Sequence, residues 1–436
     1  MAQTVIHPTK PLACWPKARE LRESYYRRYA QEGLLRCAGG GWSFDSLLAG
    51  LGDDVVFLAG EPYGATVAYD RAFSMECMRA VEERGWSRDL CAYMRNDLGS
   101  VYLDRYALGG RYPRPDFLIQ GHICCTHAKW YQVLAEYLDV PLFCVDVGVG
   151  PSHEMTENRL NFVVAQLHEC IEWLERVTSR RYDDERLFSA VEQECRAANL
   201  WAQICAQNKA VPAPLDEKTM HTFFVLTVLY KASKEIADFL EVLRDEVQER
   251  VAQGIAAVPV ERRRVITDIQ PPWAFMDLFK HLQRYGAVSV GNLYVFGLIG
   301  IWEDHLDGTW GPAKTPHQRG IRIQSRDQAL RLLAEWSLRK PLYDQFYDHQ
   351  YKTQMLLRVV REWRVDGVIL HYNRGCEGLS LGIAENRLGL VRAGIPVMAY
   401  EGNMADEREF DLEATYRRLD AFMASLGLES GSNLHA

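Results

Sequence analysis

The sequence predicts an α/β protein with two similar Rossmann-like domains, each built on a parallel sheet, and a helical insert or linker between them. In two stretches, 115–148 and 365–402, an extended apolar run is followed by a helical pattern and then by a second short apolar run. Strands that alternate with helices are typical of parallel sheets. Residues 152–256, between the two stretches, show helical periodicity without strand signals.

This pattern divides the chain into four segments. They are the N-terminal α/β domain 1–150, the helical insert 151–259, the second α/β domain 260–405 and a C-terminal helix with a tail at 406–436. The two α/β stretches share the order strand, cysteine, helix, strand, so we interpret them as equivalent elements of two domains that face each other. We expect the last residues, 431–436, to be disordered.

Charge and hydropathy exclude several classes of protein. The net charge is −8 and no dense Lys/Arg tract occurs, which argues against a nucleic-acid partner. The N-terminal residues lack the basic-then-apolar layout of a signal peptide. The apolar stretch 290–302 is shorter than the roughly 20 residues that a membrane-spanning helix needs. We therefore expect a soluble cytoplasmic protein with no membrane partner.

Three cysteines form the candidate site, because each is expected where a strand hands over to a helix. Cys124 and Cys376 end the apolar runs of the two α/β stretches, and Cys91 follows a third strand-helix unit. A helix N-terminus favours a thiolate, and ligands of open parallel sheets gather at the carboxyl ends of the strands. Three thiolates converging there can hold an iron–sulfur cluster.

The remaining cysteines restrict the kind of site. No C-x-x-C occurs, which excludes the usual zinc-ribbon, thioredoxin and ferredoxin spacings, so any cluster ligands must come from distant parts of the chain. Cys125 is an alternative ligand, although adjacent strand residues point to opposite sides and only one of Cys124 and Cys125 should face the cluster. We expect small buried hydrophobic residues at Cys14, Cys37, Cys77, Cys144, Cys170, Cys195 and Cys205.

At these residues the chain resembles the iron–sulfur subunits of the 2-hydroxyacyl-CoA dehydratase and ATP-dependent benzoyl-CoA reductase family. The resemblance includes the Cys-x₄-Lys-Trp arrangement that starts at Cys124, the strand-turn RVITDIQ at 264–270 and the Gly-Cys-acidic step at 375–377. The stretches GHICCTHAKW and GEPYGATVAYD look most like the larger core (B-type) subunit of the reductase. The chain departs from the common dehydratase pattern at Cys125 and Glu377, where an Asp is usual.

The resemblance implies a cofactor and partners. The cofactor is a [4Fe–4S] cluster on Cys91, Cys124 and Cys376. The partners are a homologous second cluster-bearing subunit, ATP-hydrolysing activator subunits with their own iron–sulfur cluster, a ferredoxin upstream and an acyl-CoA substrate. The sequence has no G-x-x-x-x-G-K-[ST] phosphate loop, which fits ATP hydrolysis on a partner.

The expected activity is ATP-dependent benzoyl-CoA reduction to a cyclohexadiene-carbonyl-CoA by single-electron steps. The alternatives are a 2-hydroxyacyl-CoA dehydratase subunit, which is a lyase, and an electron-relay subunit without substrate contact. His and Glu are common general acids, and those in the same loops as the cysteines are the candidate proton donors: Glu61, His122, His127 and His371.

Overall fold

The computed structural model describes residues 5–148, 154–268, 270–380 and 382–429, without the side chain of Tyr347. It has an α/β fold with two four-stranded parallel sheets, which confirms the predicted fold class. The predicted disordered tail lies outside the described residues.

The first sheet lies in the N-terminal third of the chain and has the strand order β2-β1-β3-β4, with every pair parallel. Its strands are β1 (Leu35–Gly39), β2 (Val55–Ala59), β3 (Phe117–His122) and β4 (Leu142–Asp146). Its helices are α1 (Trp15–Tyr29), α2 (Gly60–Tyr69), α3 (Arg71–Glu82), α4 (Ala92–Tyr102) and α5 (Cys125–Leu138), with a 3-10 helix at Asp45–Leu51.

Four helices without strands connect the two sheets. They are α6 (Glu157–Thr178), α7 (Asp184–Gln207), α8 (Glu217–Leu229) and α9 (Lys234–Gln253). The side chains of Thr156, Asp183 and Asp216 cap α6, α7 and α8 by accepting backbone N–H groups of the first turn. None of the helices in the described part of the chain is long and apolar enough to cross a membrane.

The second sheet has the order β10-β9-β5-β6, again all parallel, and a separate antiparallel pair β7-β8. The strands are β5 (Arg263–Asp268), β6 (Ala287–Asn292), β7 (Trp302–Asp304), β8 (Trp310–Pro312), β9 (Gly367–Asn373) and β10 (Val397–Gly402). The α-helices are α10 (Leu278–Gln283), α11 (Leu293–Gly297), α12 (Arg326–Leu338), α13 (Pro341–Tyr347), α14 (His349–Glu362), α15 (Glu377–Ser380), α16 (Ile383–Arg392) and α17 (Leu412–Ser425). Short 3-10 helices lie at Trp273–Phe275, His317–Arg319 and Glu407–Glu409.

The two sheets have the same topology. Read from the other edge, the second sheet is β6-β5-β9-β10, which matches β2-β1-β3-β4 strand for strand in chain order. Cys124 follows β3 and Cys376 follows β9, so the two cysteines occupy equivalent positions. In both sheets the chain changes direction between the first strand and the third, which is the point where open α/β sheets bind ligands.

Three local expectations differ from the structure. Cys91 does not directly follow a strand, because α3 and a polar loop precede it and it is the N-cap of α4. The short strand β1 was not expected, since its sequence LRCAG has neither alternation nor a long apolar run. For residues 305–321 the turn-forming residues Asp307-Gly308, Pro312 and Pro316 predict a surface loop, but this segment contains β8, which pairs with β7 in a small hairpin.

A buried ion pair joins the two halves of the molecule. Arg95 of α4 is fully buried, and its Nη1 donates to Oδ2 of Asp406 at 2.9 Å. Arg408 also donates to Asp406, at 2.7 Å. Burial alone would raise the pKa of Asp406, but the hydrogen bond from Arg408 and the charge of Arg95 lower it to about 2. The carboxylate therefore stabilises the fold above its ordinary pKa near 3.8, and this contribution is lost as the pH falls through about 2.

The first prediction concerns this pair. Asp406→Asn should lower the free energy of unfolding by about 3 kcal/mol at pH 7, because the buried Arg95 would lose its fully buried carboxylate partner and keep only the longer contact of 3.3 Å to Glu82. The matched surface change Glu76→Gln, which breaks a half-exposed pair with Arg105, should cost less than about 1 kcal/mol. Urea unfolding at pH 7 and at decreasing pH measures both, and the difference between wild type and Asp406→Asn should shrink between pH 4 and pH 2. Equal effects of the two variants would contradict this role of Asp406.

Candidate thiol site

The three predicted cysteines come together near the carboxyl ends of β3 and β9. Cys91 is the N-cap of α4, Cys124 is the N-cap of α5, and Cys376 lies directly before α15. All three side chains are partly buried. Charges on the three sulfurs interact with one another, since Cys91 and Cys376 each raise the pKa of Cys124 and Cys376 raises that of Cys91. The fold thus brings thiols from both halves of the chain into one site.

A close backbone contact holds the two cysteine loops together. Gly375 has φ +82°, a left-handed conformation that favours glycine, and a Cβ built on it would lie 2.7 Å from the carbonyl oxygen of Leu90. Arg374 beside it donates to Asp89 at 3.0 Å. The residues before Cys91 and Cys376 therefore touch directly, and only glycine allows this approach.

Burial makes the free thiolates unfavourable. It raises the pKa of Cys91 to about 12 and also raises the pKa of Cys124 and Cys376. Backbone amides at the start of the following helices lower the pKa and so oppose this shift. At Cys91 these are the amides of Tyr93 and Met94, although the Cys91 side chain forms no capping hydrogen bond. Three thiolates in such a place need a cationic group between them.

The donor set consists of three thiols, the ligand type that iron–sulfur clusters take. Within the described ranges, no three His, Cys, Asp or Glu side chains lie close enough to hold one ion. A cluster takes one thiolate on each of several irons, so its ligands surround a common space rather than one point. Cys91, Cys124 and Cys376 lie on three different loops, each directly before a helix.

The other cysteines lie elsewhere. Cys125, the alternative ligand, is the first residue of α5 and its side chain is exposed, whereas Cys124 beside it is partly buried. Of the seven cysteines expected to be buried, six are buried and Cys144 is exposed, so that expectation is wrong for Cys144. The reason is that β4 is an edge strand and Cys144 lies on its open face.

Glu61 and His127, two predicted proton donors, form a buried pair. Oε1 of Glu61 lies 2.7 Å from Nε2 of His127, and each residue is 6% exposed. Oε2 accepts the backbone N–H of Gly41 at 2.6 Å. Burial would raise the pKa of Glu61, but the charge and hydrogen bond of His127 and the amide of Gly41 bring it below its ordinary value. Glu61 is therefore held as a carboxylate with a proton donor next to it.

A buried lysine fixes the loop that holds Glu61. Lys231, which is 3% exposed, donates from Nζ to the carbonyl oxygens of Gly41 at 3.1 Å and Ser43 at 2.5 Å, and it pairs with Asp45. Since the backbone N–H of Gly41 donates to Glu61, Lys231 stabilises the position of the carboxylate indirectly, by holding Gly41 in place. Sequence reasoning missed Lys231, because nothing in its local pattern sets it apart from a solvated lysine.

An aromatic cavity adjoins Glu61. It has room for about one water, and its walls come from both sheet regions and from the connecting helix α8. The aromatic residues that line it are Trp42, Tyr93, Phe224, Trp273 and Tyr294. The negative charge of Glu61 raises the pKa of Cys91 and Cys124, so the carboxylate acts on both the cavity and the thiols. A larger cleft of about 790 Å³ between α1 and the edge strand β2 contains none of the candidate residues.

The other two predicted proton donors are not part of this pair. His122 ends β3, is about one-third exposed and lies 3.7 Å from Asp146. His371 lies within β9, is 2% exposed, and its ring stacks on Tyr400 with centroids 4.5 Å apart. Burial lowers the pKa of His371 to about 3, so its imidazole is neutral.

The protein thus belongs to a class with two parallel sheets of the same topology and three thiols that come together from both halves of the chain. Residues 55–426 match the family described as 2-hydroxyglutaryl-CoA dehydratase, D-component, and the chain belongs to this family. This confirms the resemblance inferred from the sequence.

Relatives of the chain are similar over most of their length. It is 24% identical over 382 residues to the (R)-2-hydroxyisocaproyl-CoA dehydratase alpha subunit of Clostridioides difficile, covering 85% of this chain and 86% of that protein. It is 25% identical over 362 residues to the (R)-phenyllactyl-CoA dehydratase alpha subunit of Clostridium sporogenes, covering 82% and 81%. It is 24% identical over 371 residues to the benzoyl-CoA reductase B subunit of Thauera aromatica, covering 81% and 80%.

The second prediction concerns thiol reactivity. In the native, metal-free chain, iodoacetamide should alkylate Cys125 at least about tenfold faster than Cys91, because the thiolate is the reactive form and burial disfavours it at Cys91. Mass spectrometry of peptides from a time course measures both rates. In denaturant the two rates should become similar. Equal rates in the native chain would show that the thiol of Cys91 is as reactive as the exposed thiol of Cys125, contrary to its burial.

Proposed function

We propose that this chain is the iron–sulfur subunit of an ATP-dependent benzoyl-CoA reductase and holds a [4Fe–4S] cluster on Cys91, Cys124 and Cys376. The observation that carries the proposal is the convergence of these three thiols beside a buried carboxylate and an aromatic cavity. Family membership supports it, and one relative is a benzoyl-CoA reductase subunit.

The reaction adds a pair of electrons and a pair of protons to the ring of benzoyl-CoA and gives a cyclohexadiene-carbonyl-CoA. When bound, the cluster would supply low-potential electrons one at a time and, with three protein ligands, an iron with an open coordination position. The ring gains negative charge with each electron, so each electron must be followed by a proton from the protein or from water.

The chain's own residues provide the place and the proton. Trp42, Tyr93 and Trp273 are aromatic walls of the kind that pack on a planar ring and exclude water, and the cavity, which has room for about one water, must widen to admit a ring. Nε2 of His127 lies 2.7 Å from Oε1 of Glu61, and the Glu61 side chain lines the cavity. A proton that the Glu61–His127 pair takes up from solvent can pass from Glu61 to the ring, and the pair then takes up the next proton from solvent. General acid catalysis of this kind contributes roughly 10²- to 10⁴-fold.

Three kinds of partner complete the proposed enzyme. Several relatives are alpha or B subunits, which supports a homologous second cluster-bearing subunit. ATP-hydrolysing activator subunits with their own iron–sulfur cluster would raise the energy of electrons received from a ferredoxin. We place the assembly in the cytoplasm, where thiols stay reduced.

A second candidate is a 2-hydroxyacyl-CoA dehydratase subunit, a lyase that eliminates water and regains its electron after each turnover. The relatives favour it, since those from Clostridioides difficile and Clostridium sporogenes are dehydratase alpha subunits. The same residues would serve it, with the Glu61–His127 pair moving a proton at the carbon chain of the substrate instead of at a ring.

The third prediction tests the ligands. After anaerobic reconstitution the chain should hold about four iron atoms, and Cys91→Ser, Cys124→Ser and Cys376→Ser should each lose most of them. Cys125→Ser is the matched control and should load iron like wild type, because its side chain points away from the site. Iron and sulfide analysis with electron paramagnetic resonance (EPR) measures the outcome. Loss of iron in Cys125→Ser with retention in Cys124→Ser would reverse the assignment.

The fourth prediction tests the proton donor. With partner subunit, activator, reductant and ATP, the enzyme should consume benzoyl-CoA, and Glu61→Gln should lower kcat about 100-fold or more with unchanged iron content. Glu83→Gln, an exposed change, should leave kcat unchanged.

Electron counting in the same assay separates the candidates. The reductase consumes a pair of electrons per product, whereas the dehydratase needs only catalytic amounts with a 2-hydroxyacyl-CoA. No turnover of benzoyl-CoA by an iron-loaded complex that hydrolyses ATP would overturn the reductase proposal.

A further inference from the structure

We propose that Asn373 and Gln270 are positioning residues that aim one hydrogen-bond donor at the sulfur of Cys376 and so raise the reduction potential of the bound cluster. This inference rests on the proposed function for the presence of the cluster. The hydrogen-bond chain itself is a property of the fold.

The two amide side chains connect neighbouring strands of the second sheet. Gln270 follows β5 and is 6% exposed, and Asn373 ends β9 and is fully buried. Nε2 of Gln270 donates to Sγ of Cys376 at 2.6 Å, and Nδ2 of Asn373 donates to Oε1 of Gln270 at 3.0 Å. The backbone N–H of Met404, after β10, donates to Oδ1 of Asn373 at 3.0 Å.

The direction of this chain is fixed at its far end. A backbone N–H can only donate, so Met404 requires the oxygen of the Asn373 amide on its side. The nitrogen of Asn373 must then face Gln270, and Gln270 must turn its own nitrogen towards Cys376. The sulfur of Cys376 is thus required to accept, which suits a thiolate ligand.

Only one of the three thiols receives such a donor. In the described part of the polypeptide, no side chain donates a hydrogen bond to the sulfur of Cys91 or Cys124. At these two thiols the hydrogen bonds that lower the pKa come from backbone amides. Hydrogen bonds to ligand sulfurs stabilise the reduced, more negative form of a cluster and raise its potential. The hydrogen-bond chain from Met404 to Cys376, which lies in the second half of the molecule, therefore raises the reduction potential of the bound cluster.

Two variants separate the donor from a mere packing role. Gln270→Leu removes the donor without adding charge. Asn373→Asp keeps Gln270 in place but presents only acceptors, so Gln270 must turn its nitrogen away from Cys376 and face it with oxygen. Gln345→Leu, another buried glutamine that donates to a sulfur, that of Met355, is the matched control outside this chain.

The experiment is an EPR-monitored redox titration of the reconstituted protein, after its iron content has been measured. Gln270→Leu should lower the equilibrium constant for one-electron reduction about tenfold, which is about 59 mV, while Gln345→Leu leaves it unchanged. Adding Asn373→Asp to Gln270→Leu should change the potential much less than Asn373→Asp does in wild type, because the Gln270 donor is already gone. An unchanged potential in Gln270→Leu, or fully additive effects of the two changes, would overturn the inference.

A metal-free measurement distinguishes failure of the inference from failure of the proposed function. If wild type binds no iron, the proposed function is wrong, and alkylation of Cys376 still tests the hydrogen-bond chain. Iodoacetamide should label Cys376 several-fold more slowly in both Gln270→Leu and Asn373→Asp, with Cys91 unchanged in the same molecules, because the thiolate has lost its donor. Unchanged labelling of Cys376 would contradict the assigned direction.

Discussion

The contact between Gly375 and the backbone of Leu90 is the constraint on which the site depends. A side chain at Gly375 would meet the Leu90 carbonyl at 2.7 Å, so the loops of the two halves approach as closely as backbones allow. This contact places Cys91 and Cys376 in one site, and the buried Arg95–Asp406 pair fixes the same interface a short way along α4. Because the two sheets have the same topology, Cys124 after β3 occupies the position in the first sheet that Cys376 occupies after β9 in the second.

Burial then sets the chemistry. Three thiols and the carboxylate of Glu61 lie in a region of low dielectric, where the charges of Glu61 and Cys376 raise the pKa of Cys91 and Cys124. The protein supplies two kinds of compensation: amide donors, among them the side chain of Gln270 at Cys376, and the imidazole of His127 next to Glu61. A cationic cluster between the thiols would supply the rest. The three thiols thus form the proposed site for electron transfer, and the Glu61–His127 pair forms the proposed site for proton transfer beside it.

Much of this arrangement was predictable from the sequence, because it follows from local patterns. The strand-helix-strand order around Cys124 and Cys376 predicts two parallel sheets, and the shared order predicts their equivalence. Cys91 was predicted as a site residue, but its expected position after a strand is wrong, since the polar residues between α3 and α4 form no strand.

What sequence reasoning missed depends on long-range packing. The walls of the aromatic cavity come from three separate regions, and no local pattern marks Trp42 or Tyr294 as neighbours. Lys231 and Asn373 act through hydrogen bonds to residues far away in the chain. Among the candidate proton donors, only the folded chain distinguishes the buried Glu61–His127 pair from His122 at the edge of the sheet.

The most direct test of the central claim is anomalous X-ray diffraction at the iron absorption edge, from crystals of the anaerobically reconstituted protein. The account predicts one compact anomalous peak bounded by the sulfurs of Cys91, Cys124 and Cys376, with the side chain of Cys125 outside it. Iron at Cys125, iron bound by only one half of the molecule, or a fully reconstituted protein with no anomalous density between the sheets would contradict it.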